Sequence, residues 1–100
     1  MTNSSRNNSE AGADREPTAS EVMRAARSQL TELTGMHVES VSSFARTDEG
    51  WQLAVETVEL ARIPDTTSLL ATYEVTLTTD GELASYHRVR RYERGRADPS

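Results

Sequence analysis

The stretch Leu69-Leu70-Ala71-Thr72-Tyr73-Glu74-Val75-Thr76-Leu77-Thr78-Thr79-Asp80-Gly81-Glu82-Leu83 decides the fold. Leu69, Ala71, Tyr73, Val75 and Leu77 recur at every second residue, the period of a strand with one buried face. Asp80-Gly81 then signals a hairpin, and its register decides which face receives the residues that follow. A two-residue turn at Asp80-Gly81 pairs Thr79 with Glu82, sets Tyr73 beside Arg88 on the buried side and exposes Leu83 and Val89. A three-residue loop with Gly81 left-handed pairs Thr78 with Glu82 and buries Leu83 and Val89 opposite Leu77 and Ala71. The second register buries two aliphatics and is the one expected. It gathers Tyr86, Arg88, Arg90 and Tyr92 on the outer face beside Thr72 and Glu74.

Upstream, two further strands complete a meander. The first, Met36 to Arg46, has apolar positions Val38, Val41 and Phe44 of mixed parity, which predicts a bulge near Ser40 or Ser42. After the turn Thr47-Asp48-Glu49-Gly50, the second starts inward as Trp51, Leu53 and Val55 and resumes as Val58 and Leu60, a slip at Thr57. Ile63-Pro64-Asp65-Thr66-Thr67-Ser68 reads as a loop, because Pro donates no ladder hydrogen bond and the Asp, Thr and Ser side chains favour local turns. Before the strands, Val22, Met23, Ala26, Leu30 and Leu33 fall at offsets of three, four and seven, an amphipathic helix. Thr18 and Glu21 form its capping box, with Ser20 as an alternative cap, and Gly35 ends it. The predicted fold is α+β, a helix laid on a four-stranded antiparallel meander.

The chain has 100 residues, no Cys, two His and a formal net charge of −5, with mean hydropathy −0.66. None of its Leu, Ile, Val or Phe residues falls in positions 1–18. Residues 1–17 therefore read as a disordered tail, 18–96 as one domain and 97–100 as a flexible C-terminus. No apolar run suffices for a bilayer span or a secretion signal, so a cytoplasmic location is expected, with no membrane partner. The absence of Cys removes disulfides, thiolate metal sites and thiol nucleophiles. His37 and His87 remain; His87 is placed on the inner register near Tyr73, and neither makes a metal site. Neither a Gly-x-Ser-x-Gly nucleophile motif nor a phosphate-binding glycine loop is present. Glu56 and Glu59 are the one carboxylate pair to weigh for acid/base work, if a bulge at Thr57 sets them on one face. A solvated outer sheet face explains them as well. No enzyme activity and no cofactor is expected.

Charge is distributed unevenly. Residues 21–81 hold ten acids and four Arg, whereas residues 82–100 hold three acids and five Arg. The strip Tyr86-His87-Arg88-Val89-Arg90-Arg91-Tyr92-Glu93-Arg94-Gly95-Arg96 interleaves guanidinium groups with aromatic rings, a surface type suited to acidic protein partners or to phosphates and bases. It can equally be an aggregation-resistant edge whose arginines pair with Glu56, Glu59 and Glu74 on neighbouring strands.

The segments Gly50-Trp51, Val55-Glu56, Val58-Glu59-Leu60, Arg62-Ile63-Pro64-Asp65-Thr66, Leu70-Ala71-Thr72-Tyr73-Glu74-Val75, Asp80-Gly81-Glu82-Leu83, Tyr86 and Arg90-Arg91-Tyr92-Glu93-Arg94-Gly95 resemble the gas vesicle protein O family. Arg-Ile-Pro-Asp-Thr and Arg-Arg-Tyr-x-Arg-Gly are the specific segments, and the resemblance runs from about residue 19 to residue 96. It implies a non-enzymatic accessory protein for building gas vesicles, in contact with other vesicle accessory proteins and, as a further candidate, the wall protein. A nucleic-acid-binding regulator of vesicle genes is the alternative, disfavoured by the acidic chain. The residues carried forward as partner-binding candidates are Arg62, Asp65, Glu74, Tyr86, Arg88, Arg90, Arg91, Tyr92 and Arg94. The oligomeric state is left open.

Overall fold

Thr18 starts the helix in the way its spacing from Glu21 dictates. Its hydroxyl accepts from the Glu21 N–H at 3.2 Å while the Glu21 carboxylate accepts from the Thr18 N–H at 2.8 Å, which satisfies two of the orphan donors of a helix N-terminus. Helix α1 runs Ala19–Thr34 and ends where Gly35, left-handed at φ 75°, donates to the Thr31 carbonyl at 2.7 Å. In this computed structural model residues 16–96 are described. The tail expected at residues 1–17 lies outside them apart from Glu16 and Pro17, and so does the C-terminus 97–100. Glu16 is ion-paired to Arg46, and Pro17 lies close to Gly81 in the last hairpin turn.

Val22, Ala26 and Leu30 are fully buried, whereas Leu33, expected inward, is 63% exposed. The buried row advances by four residues, with the half-buried Thr34 next in line, leaving Leu33 on its flank. The row packs against Val38, Trp51, Leu53, Val55, Val75 and Leu77. Gln29 ties the helix to the hairpin, donating to the Gly81 carbonyl and accepting from the Leu83 N–H, both at 2.8 Å.

The strands β1 (His37–Thr47), β2 (Gly50–Leu60), β3 (Leu69–Thr78) and β4 (Leu83–Glu93) form one antiparallel sheet in the order β1-β2-β3-β4. Close approach of β2 and β3 requires Gly50, which sits at φ 154° and where an added Cβ would lie 1.9 Å from the Leu77 carbonyl oxygen. The meander is as the period of two predicts, but its bulges redistribute the faces. In β1 the unpaired residues are Glu39 and Ser42, close to where mixed parity places them. In β2 the slip falls at Glu59 and not at Thr57. Thr57 stays fully buried on the inner row because its hydroxyl has a partner, the Ala71 carbonyl at 3.3 Å.

The last hairpin uses both competing registers in succession. It opens as the three-residue loop, with Gly81 at φ 91°, a 2.8 Å bond from the Thr78 N–H to the Glu82 carbonyl, and Leu77 opposite Leu83. Ala84 is then unpaired, and Tyr73 comes opposite Arg88, the pairing of the two-residue turn. A second unpaired residue, Val89, shifts the ladder again. Each extra residue moves the following side chains one step in the alternation. Tyr86, Arg88, Arg90 and Tyr92 therefore do not share the outer face, which corrects the expectation above. Opposite Val75, Tyr73 and Ala71, the residues Tyr86, Arg88 and Arg91 lie on the helix side, while His87, Arg90 and Tyr92 lie on the far side. Val89, expected to be buried, is 50% exposed at its bulge. Both edge strands carry two bulges, a device that blunts pairing with another sheet.

Candidate functional site

On the helix side, Glu59 gathers two of the arginines. Because it is the unpaired residue at the end of β2, its carboxylate projects across β3 and accepts from Arg91 Nε at 2.7 Å and Arg88 Nη1 at 3.2 Å. Burial opposes ionisation of Glu59, but the two guanidinium groups outweigh it and hold the carboxyl below its usual value of 4.5. Beside this triad Tyr86 packs on Tyr73, ring centroids 6.2 Å apart.

On the far side Glu56 is the hub. It accepts from Ser42, Thr72 and Tyr92, each at 2.6 Å. Arg90 donates to the Thr72 hydroxyl at 3.3 Å and its guanidinium lies over the Tyr92 ring at 4.5 Å. Burial again raises the carboxyl pKa, and the three hydrogen bonds bring it below 4.5. For Tyr92, burial and then the bond to Glu56 push the phenol up to about 12. Glu74 accepts from Gln52 at 2.9 Å and faces His87 at 3.3 Å, so His87 is on this side and not inward near Tyr73. Glu56 and Glu59 lie on opposite faces, because an odd offset of three separates them and the bulge comes at Glu59 itself. The carboxylate pair weighed for acid/base work is not assembled.

A third cluster joins the two specific segments of the sequence. Arg94 grips Glu39 with both terminal nitrogens, at 3.1 and 2.7 Å, a bidentate pair from the end of β4 to the far edge of the sheet. Its Nε lies 2.8 Å from Asp65 Oδ2 as an ion pair, off the N–H direction, so that buried Nε makes no hydrogen bond. The Arg94 guanidinium is held above its ordinary pKa by the Glu39 hydrogen bonds. Behind it, an added Cβ on Gly95 would stand 2.9 Å from the Thr66 carbonyl oxygen. Arg62 donates through its backbone to Ser68 Oγ at 2.9 Å and through its side chain to the Thr67 carbonyl at 3.3 Å.

The nine candidates thus divide. Tyr86, Arg88 and Arg91 form a helix-side lip; Glu74, Arg90 and Tyr92 belong to a far-side network; Arg62, Asp65 and Arg94 brace the β2–β3 connection. Glu39 as a partner of Arg94, and Ser42 and Thr72 as donors to Glu56, were not legible in the sequence, since their partners come from strands whose register only the bulges define. Among the described residues, no group of three or more His, Asp or Glu is placed to hold a metal ion, and no helix is long and apolar enough to cross a membrane.

Residues 4–98 match the family model described as gas vesicle synthesis protein GvpO. The chain belongs to that family. A gas vesicle protein O of Streptomyces sp. (strain CB03234) is 64% identical over 84 residues, covering 84% of this chain and 66% of the relative. Gas vesicle protein O1 of Halobacterium salinarum is 35% identical over 78% of this chain and 66% of its own length. Gas vesicle protein O of Haloferax mediterranei is 35% identical over 70% of this chain and 51% of its own length. The chain thus spans between half and just under two thirds of the GvpO relatives it matches. No solved structure matches it. The two segments most specific to the GvpO resemblance, around Asp65 and Arg94, are the ones that meet in the third cluster.

Proposed function

We propose that this chain works in gas vesicle formation in the cytoplasm as a non-enzymatic accessory protein, and that it acts through contacts with other vesicle accessory proteins. The contact surface is the helix-side lip of β4, Tyr86, Arg88 and Arg91. The observation that supports this most is Glu59, which neutralises one of the two arginines' charges and leaves a mixed surface of ring, guanidinium and carboxylate. A polyanion binder needs several guanidinium groups free for phosphates. Here Arg88 and Arg91 share the Glu59 carboxylate, Arg94 is paired with Glu39 and Asp65, and Arg90 is stacked on Tyr92. Mixed surfaces of this composition suit the polar rim and aromatic anchors of a protein interface.

The test is the double variant Arg88→Gln with Arg91→Gln, whose amides can still donate to Glu59 but carry no charge. The reading expects native Trp51 emission and loss of vesicle formation. Normal vesicles from that variant contradict it.

A further inference from the structure

Ile63 is wholly exposed in the β2–β3 connection, and Leu60, three residues earlier at the end of β2, is 47% exposed. A single exposed aliphatic carries no message by itself. What sets Ile63 apart is that the chain around it is tied down. Thr67 bonds the Pro64 carbonyl twice, through its N–H at 3.0 Å and its hydroxyl at 2.8 Å. The fully buried Ser68 accepts from the Arg62 N–H at 2.9 Å and faces Asp65 at 3.3 Å. From the other end of the chain, Arg94 donates to the Ser68 carbonyl at 2.9 Å and pairs with Asp65, with Gly95 pressed against Thr66. These ties hold the short 3₁₀ turn Asp65–Thr67 in place and leave Ile63 outside it. The loop's charge is also settled on one side only. Asp65 is taken by Arg94, whereas Arg62 meets only a backbone carbonyl and no carboxylate among the described residues.

We infer that Ile63 is an anchor that inserts into an apolar pocket on a protein partner, with a carboxylate on the pocket rim to receive Arg62. A rigid loop has already lost the entropy that binding would otherwise cost, which favours a side chain fixed in water over one free to fold away. One fixed side chain with one guanidinium matches a defined pocket better than a bilayer surface, which rewards a large apolar face. The inference rests on the reading that the protein works by protein contacts, but it uses a surface separate from the lip of β4.

The chain has no Cys, so Ala61→Cys in the full chain, at an exposed position two residues before Ile63, offers one thiol for an environment-sensitive fluorophore and leaves the anchor intact. The labelled protein is mixed in turn with each purified accessory protein of the same vesicle system, with the wall protein, with unlabelled copies of itself and with phosphatidylglycerol vesicles. One of the other vesicle proteins should shift the emission to the blue, and excess wild-type chain should reverse the shift. Ile63→Ser should compete about ten- to a hundredfold more weakly, as expected for one aliphatic side chain no longer buried, with an unchanged melting temperature. Arg62→Gln should weaken competition as well. Equal competition by Ile63→Ser overturns the inference, as does a shift produced only by lipid or by a second copy, or no shift at all. If vesicles fail in the Arg88→Gln, Arg91→Gln variant but form normally with Ile63→Ser, the anchor is wrong and the contact reading stands. If both variants make normal vesicles, both fall.

Discussion

The hydroxyl of Tyr92 on β4 donates to Oε1 of Glu56 on β2 at 2.6 Å, crossing the intervening strand β3. Thr72 of β3 donates to the same oxygen from beneath. With Ser42 of β1 donating to the other oxygen, all four strands are joined through one carboxylate, and Arg90 is stacked on the Tyr92 ring. A charge-assisted bond of this kind is worth more than a neutral one, and it fixes the end of an edge strand that the bulge at Val89 would otherwise leave loosely defined.

Tyr92 should therefore ionise late. Its folded pKa, about 12, exceeds its ordinary value of 10.0, so the stability it contributes is fully present below pH 10 and is lost as pH rises through the folded value. A tyrosinate absorbance titration of the wild type minus that of Tyr92→Phe should show one phenol titrating near pH 12. The Phe variant should lose about 1–2 kcal/mol at neutral pH, measured by urea unfolding.

Acid should act in the opposite sense. The folded values of Glu56 and Glu59 lie below 4.5, so their stabilisation is present above that pH and is lost as pH falls through the folded values. Glu59→Gln should flatten the acid limb of the stability profile while leaving neutral-pH stability lower than wild type. An acid limb as steep as wild type contradicts the assignment of Glu59 as acceptor for Arg88 and Arg91.

The core depends on one indole. Trp51 is 8% exposed, packs 5.4 Å from the Phe44 ring, lies under Arg46 and donates to the Thr79 carbonyl at 3.4 Å. Its emission should be that of a shielded indole, and Trp51→Ala should cost about 3–5 kcal/mol, much of the stability of a domain this small.

The helix caps, the start of the inward row of β2, the inward row of β3 and the meander order were legible because each rests on local period and turn chemistry: Thr18 with Glu21, Trp51-Leu53-Val55, Gly81. The faces of β4 were not. Ala84 and Val89 each drop out of the ladder, and nothing in the local pattern of Tyr86 to Tyr92 marks which residue does so, because alternation reads the same on either side of a bulge. For the same reason Tyr86, Arg88, Arg90 and Tyr92, expected as one patch, are found on two faces of the sheet. Thr57 misled in another way: a threonine between Val55 and Val58 looks like an interruption until its hydroxyl is seen to have a buried carbonyl partner.

That the charged strand meets proteins and not nucleic acid is tested most directly by affinity capture of the tagged full chain from vesicle-forming cells, with and without nuclease. The account predicts that other vesicle accessory proteins are recovered equally in both samples and are lost with Arg88→Gln, Arg91→Gln. It further predicts binding of the purified chain to duplex DNA no tighter than about 10 μM at physiological salt. Recovery of nucleic acid with the chain, and disappearance of its protein partners on nuclease treatment, would contradict it.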